Sequence, residues 1–236
     1  MSLAAATGAE KLYMFGTYHY HGDAMVTGTG VDPKKGRYVL LNQTHFHPQG
    51  GGQLSDLGKI NGVAITHVAK MALGEGHLFD VAHHYAGEED LFTLGQEVVY
   101  EVDAERRRLA ATWHSAGHLL AAVVERVFPH LIGVNAHHFP GEGRVEFKLS
   151  SEGSFPAKGE IESLVLSEYS REIREGRPVT VDNGAVRTIA FGDHRLVPCG
   201  GTHVESTAEL PEITIRKADV KKGVLTIGYD LSPLGK

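Results

Sequence analysis

With 236 residues, 42% of them hydrophobic and 22% charged, and a formal net charge of -6, the chain reads as one or two soluble globular domains rather than a disordered protein. A single cysteine excludes an intramolecular disulfide framework, and no apolar run approaches the roughly 18 residues that span a bilayer. The opening Met1-Ser2-Leu3-Ala4-Ala5-Ala6 has neither the basic stretch nor the apolar core of a secretory leader, so the expected location is the cytoplasm. Fifteen histidines make metal ligation or acid–base chemistry the first thing to test.

In chain order, residues from about Lys11 to Val102 read as β-rich, with frequent glycine and short alternating stretches. Val63 to Val68 alternates behind Asn61-Gly62, a strong hairpin signal. Val98, Tyr100 and Val102 fall on one face of a strand, Val99 and Glu101 on the other. Several short strands separated by turns predict a small barrel or sandwich. The character changes at Asp103, a helix N-cap candidate, and one helix is predicted from there to Phe128, stopped by Pro129. Leu109, Trp113, Ala116, Leu120, Val123 and Val127 step by fours and threes and mark its apolar face. A strand follows over Arg144 to Leu149. A second helix is predicted over about Lys158 to Glu175, carrying Ile161, Val165, Tyr169 and Ile173, and Gly176 and Pro178 end it. Further strands close in a hairpin around Lys221-Lys222-Gly223. The fold class expected is α+β, with a β-rich domain over residues 1–102 and an α+β domain over residues 103–236.

Residues 1–102 hold six Lys/Arg against eleven Asp/Glu, and residues 103–236 seventeen against eighteen. Basic clusters occur only in the second part: Arg106-Arg107-Arg108, and Arg216-Lys217 with Lys221-Lys222. An anionic partner would bind there; each cluster taken alone reads more readily as a solvated surface.

His114-Ser115-Ala116-Gly117-His118 sits inside the first predicted helix, where a spacing of four projects both imidazoles from one face, offset from the apolar stripe. The lone cysteine lies in Pro198-Cys199-Gly200-Gly201-Thr202-His203, again four residues from a histidine. Together these residues are a ligand set suited to zinc, catalytic or structural. A zincin peptidase is excluded, because Ser115 stands where HExxH needs glutamate. His47-Pro48-Gln49-Gly50-Gly51-Gly52-Gln53-Leu54-Ser55-Asp56-Leu57-Gly58 forms a glycine-rich segment, and no Gly-Lys-Ser/Thr follows the glycines, so no P-loop ATP site is seen.

HSAGHLL (His114–Leu120), CGGTHV (Cys199–Val204) and the glycine-rich segment, in that family's order, resemble the AlaX proteins and the editing domain of alanyl-tRNA synthetase; the core is also similar to an editing domain of threonyl-tRNA synthetase. The resemblance implies a small N-terminal β-barrel with a glycine-rich motif, followed by a zinc-containing aminoacyl-tRNA editing domain. It implies a hydrolase that deacylates tRNA(Ala) wrongly charged with serine or glycine, with zinc held by His114, His118, Cys199 and His203. It also implies that Gln53 and Asp56 approach the bound aminoacyl-adenosine. A full ligase is not expected at this length. The chain departs from the family where a Gln-x-Gly-Ser-like stretch usually lines the pocket: here it reads Gly133-Val134-Asn135-Ala136-His137-His138-Phe139-Pro140.

An aminoacyl ester is already activated, so editing needs a positioned water more than a strong nucleophile; a zinc could activate that water or orient the substrate, and four protein ligands favour orientation, with His114 or Cys199 the looser ligand. Thr202, Asn135 and His138 are the candidate catalytic pocket residues, able to hydrogen-bond the serine hydroxyl that alanine lacks. Arg106, Arg107, Arg108, Arg216, Lys217, Lys221 and Lys222 are the candidate tRNA phosphate contacts. Two competing readings are a zinc hydrolase of another small ester or amide, and a non-catalytic tRNA-binding module with a structural zinc. Oligomeric state leaves no signal in the sequence.

Overall fold

A computed structural model describes residues 8–73 and 78–233; the N-terminal stretch read above as lacking a leader lies outside the described residues. The chain packs as two units, one made of Met1–Gly50 and Leu54–Arg108, the other of Gly51–Gln53 and Leu109–Lys236. No helix among the described residues is long and apolar enough to cross a membrane.

The first unit is built from β1 (Glu10–Lys11), β2 (His21–Asp32), β3 (Gly36–Leu41), β4 (Gln43–Thr44), β5 (Gly58–Ile60), β6 (Val63–Ala72), β7 (Phe79–Tyr85) and β8 (Glu97–Val102). Six of these close on themselves in the order β2-β3-β7-β6-β5-β8, every pair antiparallel. The closure is irregular, with bulges in β2 and β6 and only two paired positions between β3 and β7. Asn61 (φ 48) and Gly62 (φ 81) form the two-residue turn joining β5 to β6, the shape that matches strand twist. In β8, Val98, Tyr100 and Val102 are buried and Val99 is 65% exposed, as the alternation predicts.

Polar side chains are enclosed with this core as well. His83 hydrogen-bonds the Val39 carbonyl through Nδ1 at 3.1 Å. A carbonyl only accepts, so Nδ1 carries the proton and Nε2 accepts from the Thr44 hydroxyl at 2.9 Å. Burial pushes the His83 pKa down to about 4, and the ring is neutral. Asp56 and Arg107 are both fully buried and paired with each other. Arg107 donates through Nε to the carboxylate at 3.0 Å and through its remaining nitrogens to the Thr17 and His45 carbonyls. Asp56 also accepts the His47 N–H at 2.6 Å. This corrects the expectation that Asp56 contacts substrate and Arg107 contacts phosphate: an interior ion pair survives only with its hydrogen bonds satisfied inside the protein, and these two spend theirs on each other and on nearby backbone.

The long helix α1 (Ala104–Val127) begins on Asp103, whose Oδ1 accepts the Arg106 N–H at 3.0 Å. From Trp113 onward its apolar face enters the core of the second unit: Ala116, Leu119, Leu120, Val123 and Val124 are buried. Leu109 shares the helical phase of Ala116 yet is 49% exposed, because the apolar cluster begins one turn later, at Trp113. Beyond it come β9 (Leu131–His137) and β10 (Arg144–Leu149), then α2 (Lys158–Glu160), a π-helical turn Ile161–Val165 and α3 (Leu166–Glu175). An α-helix over-rotates by about 40° at every four-residue step. The wider π turn offsets that drift and keeps Ile161, Val165 and Tyr169 buried along one line. The strands β11 (Val179–Asp182), β12 (Thr188–Phe191) and β13 (Val197–Pro198) form a small antiparallel sheet that delivers Cys199 from its last strand. The strands β14 (Ile213–Lys221) and β15 (Val224–Leu231) complete a larger antiparallel sheet ordered β14-β15-β10-β9. Its Val145, Phe147, Leu225, Ile227 and Tyr229 share one core with α1. The fold is α+β, as expected.

Candidate functional site

Within the second unit, α1 carries His114 and His118 one turn apart, and the loop after β13 carries Cys199 and His203. One ligand atom from each lies within 4.8 Å of all the others, which makes them a group that could hold a metal ion. His118 Nε2 stands 3.1 Å from His114 Nε2, and the Cys199 sulfur 3.6 Å from His114 Nε2 and 3.2 Å from His203 Nε2. A tetrahedral zinc with ordinary bond lengths sets ligand atoms about 3.4 to 3.6 Å apart, so the donor set fits. Burial pushes the His118 pKa down to about 4, leaving a neutral imidazole with a lone pair to offer.

The far nitrogens of two of these rings are held by the protein. His114 Nδ1 meets Gln53 Oε1 at 2.5 Å, and His203 Nδ1 meets Ser115 Oγ at 3.2 Å. The Gln53 oxygen only accepts, so His114 carries its proton on Nδ1 and turns a lone pair on Nε2 toward the group; the Ser115 hydroxyl orients the His203 ring. The same Gln53 oxygen accepts the Thr202 N–H at 3.0 Å, and its amide nitrogen donates to Thr202 Oγ1 at 2.8 Å. Ser115 Oγ also accepts the Val204 N–H at 3.1 Å. Ser115, which served in the sequence only to exclude a peptidase motif, thus ties helix to loop.

A cavity of about 620 Å³ opens beside this group, lined on one side by His118, Cys199 and Gly200 and on the other by Val134, Asn135, Ala136 and His138. The His138 ring donates through Nδ1 to the Tyr229 hydroxyl at 2.9 Å, since that hydroxyl gives its own proton to the Trp113 carbonyl at 2.9 Å. Burial raises the Tyr229 pKa and keeps the phenol a donor. Nε2 of His138 therefore carries a lone pair, and burial holds the ring's pKa well below its usual value. Asn135 donates through Nδ2 to Glu146 at 3.2 Å, and no hydrogen bond among the described residues engages its amide oxygen.

Two glycines make room for this arrangement. A Cβ on Gly117 would stand 2.1 Å from His138 Nδ1, and a Cβ on Gly201 2.0 Å from the His114 ring. Glycine inside a helix costs about 1 kcal/mol against alanine, so its presence between two histidines is the sequence signal of a close approach.

The other expected site residues divide plainly. Gln53 and Thr202 are buried behind the metal-type cluster, where they position His114 and do not line the cavity. His137, next to the expected His138, pairs with Glu142 and does not line the cavity. Arg106 bonds the Ser55 carbonyl, and Arg108 is exposed and bonds the Tyr20 hydroxyl. Arg216 is tied to Asp230 and to the Tyr229 and Gly143 carbonyls, while Lys217, Lys221 and Lys222 are exposed on the terminal hairpin. A second cluster, Glu172 with Asp193 and His194, also brings ligand-type atoms together. Arg126 and Arg177 already neutralise its carboxylates at 2.6 to 3.2 Å, which makes it an ion-pair network rather than a cation site.

Comparison with known proteins agrees with this geometry. Residues 186–226, which include Cys199 and His203, match the family model described as the threonyl and alanyl tRNA synthetase second additional domain. The alanyl-tRNA editing protein AlaX-M of Pyrococcus horikoshii is 30% identical, covering 78% of this chain and 82% of the relative. The alanine–tRNA ligase of Sulfurisphaera tokodaii is 27% identical over 81% of this chain, and that of Saccharolobus islandicus 26% over 98%. The chain spans only 23% and 27% of those two ligases.

Proposed function

The chain belongs to the family of AlaX alanyl-tRNA editing proteins, and on that premise we propose that it is a zinc-dependent hydrolase removing serine from wrongly charged tRNA(Ala), with glycine a second candidate substrate. The observation that carries the reading is the convergence of His114, His118, Cys199 and His203 on one point at the wall of a cavity. Those four residues would hold zinc, and the ion when bound supplies Lewis-acid stabilisation to the ester. The protein does the rest. Gln53 holds His114 in the required tautomer, and Ser115 orients the His203 ring. His138 Nε2 or the Asn135 amide oxygen accepts the single seryl hydroxyl proton, and alanine leaves that acceptor unpaired, which is the stronger form of discrimination. The cavity walls limit the water that reaches the ester. Thr202 acts through Gln53 as a positioning residue. Arg106, Arg108, Lys217, Lys221 and Lys222 supply phosphate contacts, so tRNA binding weakens steeply with salt. The second unit is the editing domain in this reading, and the substrate places the protein in the cytoplasm.

The test is deacylation of Ser-, Gly- and Ala-tRNA(Ala) side by side. Rapid release of serine with alanine spared supports the reading. Equal hydrolysis of simple seryl esters without the tRNA body turns it toward a small-ester hydrolase, and binding without any release toward a non-catalytic module.

A further inference from the structure

We propose that Arg195 is the anchor for the phosphodiester on the 5′ side of the substrate's terminal nucleotide. The inference rests on the editing reading above and adds a second nucleotide subsite to it. The cavity beside the metal-type cluster adjoins a second one of about 430 Å³, and Ala122, Glu125, His194 and Arg195 line both. Both volumes are in the range of small-molecule sites. A terminal nucleoside filling the first would send its 5′ phosphate across that shared wall, with the preceding nucleotide entering the second.

Arg195 is built for that position. Its Nε and Nη2 donate side-on to the two oxygens of Glu125 at 2.7 and 2.8 Å, so one carboxylate fixes the guanidinium plane. No hydrogen bond among the described residues engages Nη1, and the side chain stays 56% exposed. Glu125 in turn accepts the Gly133 N–H at 2.8 Å, so three donors offset its charge beside an incoming phosphate. The flanking loop is held as well: Asp193 pairs with Arg126 and Arg177, and His194 bonds Glu172. An oriented guanidinium with an open edge, on an anchored loop at the junction of two cavities, matches a phosphodiester monoanion.

The experiment compares the full chain with Arg195→Ala and Arg195→Lys, using two probes that need no turnover: adenosine and the dinucleoside monophosphate cytidylyl-(3′→5′)-adenosine. The wild type should bind the dinucleotide about tenfold or more tighter than adenosine, the range of a hydrogen bond to a charged group. Arg195→Ala should erase that preference while still binding adenosine. On Ser-tRNA(Ala) it should raise KM about tenfold with kcat changed less than about threefold, and flatten the log–log salt slope by about 0.7, one single-strand phosphate contact. Arg195→Lys should recover the salt slope. A dinucleotide preference that survives in Arg195→Ala overturns the proposal, as does an equal loss of adenosine and dinucleotide binding. If the wild type hydrolyses no aminoacyl-tRNA but Arg195→Ala still erases the preference, the anchor stands and the editing reading falls.

Discussion

In the barrel, His83 finds a protein partner for each ring nitrogen, the Val39 carbonyl on Nδ1 and the Thr44 hydroxyl on Nε2. In the second unit, His114 and His203 give Nδ1 to Gln53 and Ser115 and turn Nε2 toward His118 and Cys199. Burial keeps His83 and His118 alike neutral, with pKa values pushed down to about 4. The residue type and its burial are the same; what differs is where the second nitrogen points. A histidine satisfied on both sides is a piece of core. Several facing one another beside a cavity, with a thiol among them, form a group that could hold a cation. Charged residues repeat the lesson, since Asp56 and Arg107 close on each other in the first unit while Arg195 in the second keeps an open edge.

The comparison breaks most directly at the ligands. Cys199→Ala or His118→Ala should abolish bound zinc and lower Ser-tRNA(Ala) deacylation at least about a hundredfold, with the thermal transition still cooperative; metal analysis beside the assay checks both. In the barrel, Arg107→Ala leaves Asp56 buried and unpaired and should cost about 3–5 kcal/mol in denaturant unfolding. If it instead left stability unchanged and weakened tRNA binding, the interior role would be wrong. His83 predicts a pH effect of known sign. Its folded pKa lies below the unfolded value of 6.5, so the unfolded chain takes up the proton first as the solution is acidified. The associated stability is fully present above pH 6.5 and is lost as pH falls toward about 4, up to about 3 kcal/mol. His83→Gln should remove that slope between those limits in a series of melts. The smallest effect belongs to the outer shell: Gln53→Ala and Ser115→Ala should weaken zinc affinity about 10- to 100-fold, read by competition with a chelator.

Much of this was legible from local chemistry. Asp103 as a cap, the Asn61-Gly62 hairpin and the alternation of β8 each depend on a few neighbouring residues and stand where the pattern predicts. The two spacings of four were legible for the same reason, because each pair sits on one short stretch of backbone. What escaped depends on partners distant in sequence. Gln53 and His114 meet across 61 positions, and Arg107 and Asp56 across 51, so neither the clamp nor the buried pair has a local signature. An arginine triplet looks like a phosphate patch until tertiary packing takes its middle member inside. Leu109 follows the helical period and still lies outside the core, since period sets direction and not whether anything stands there. Gly117 did leave a trace, a helix-breaking residue in mid-helix, whose meaning emerges only with His138 beside it.

The central claim is that the His114–His118–Cys199–His203 group holds a zinc on which editing depends. The most direct measurement strips the metal with a chelator and restores zinc stepwise while following the initial rate of Ser-tRNA(Ala) deacylation. The account predicts that activity vanishes with the metal and returns in proportion to added zinc, saturating at a single equivalent per chain. Undiminished deacylation by metal-free protein would contradict it.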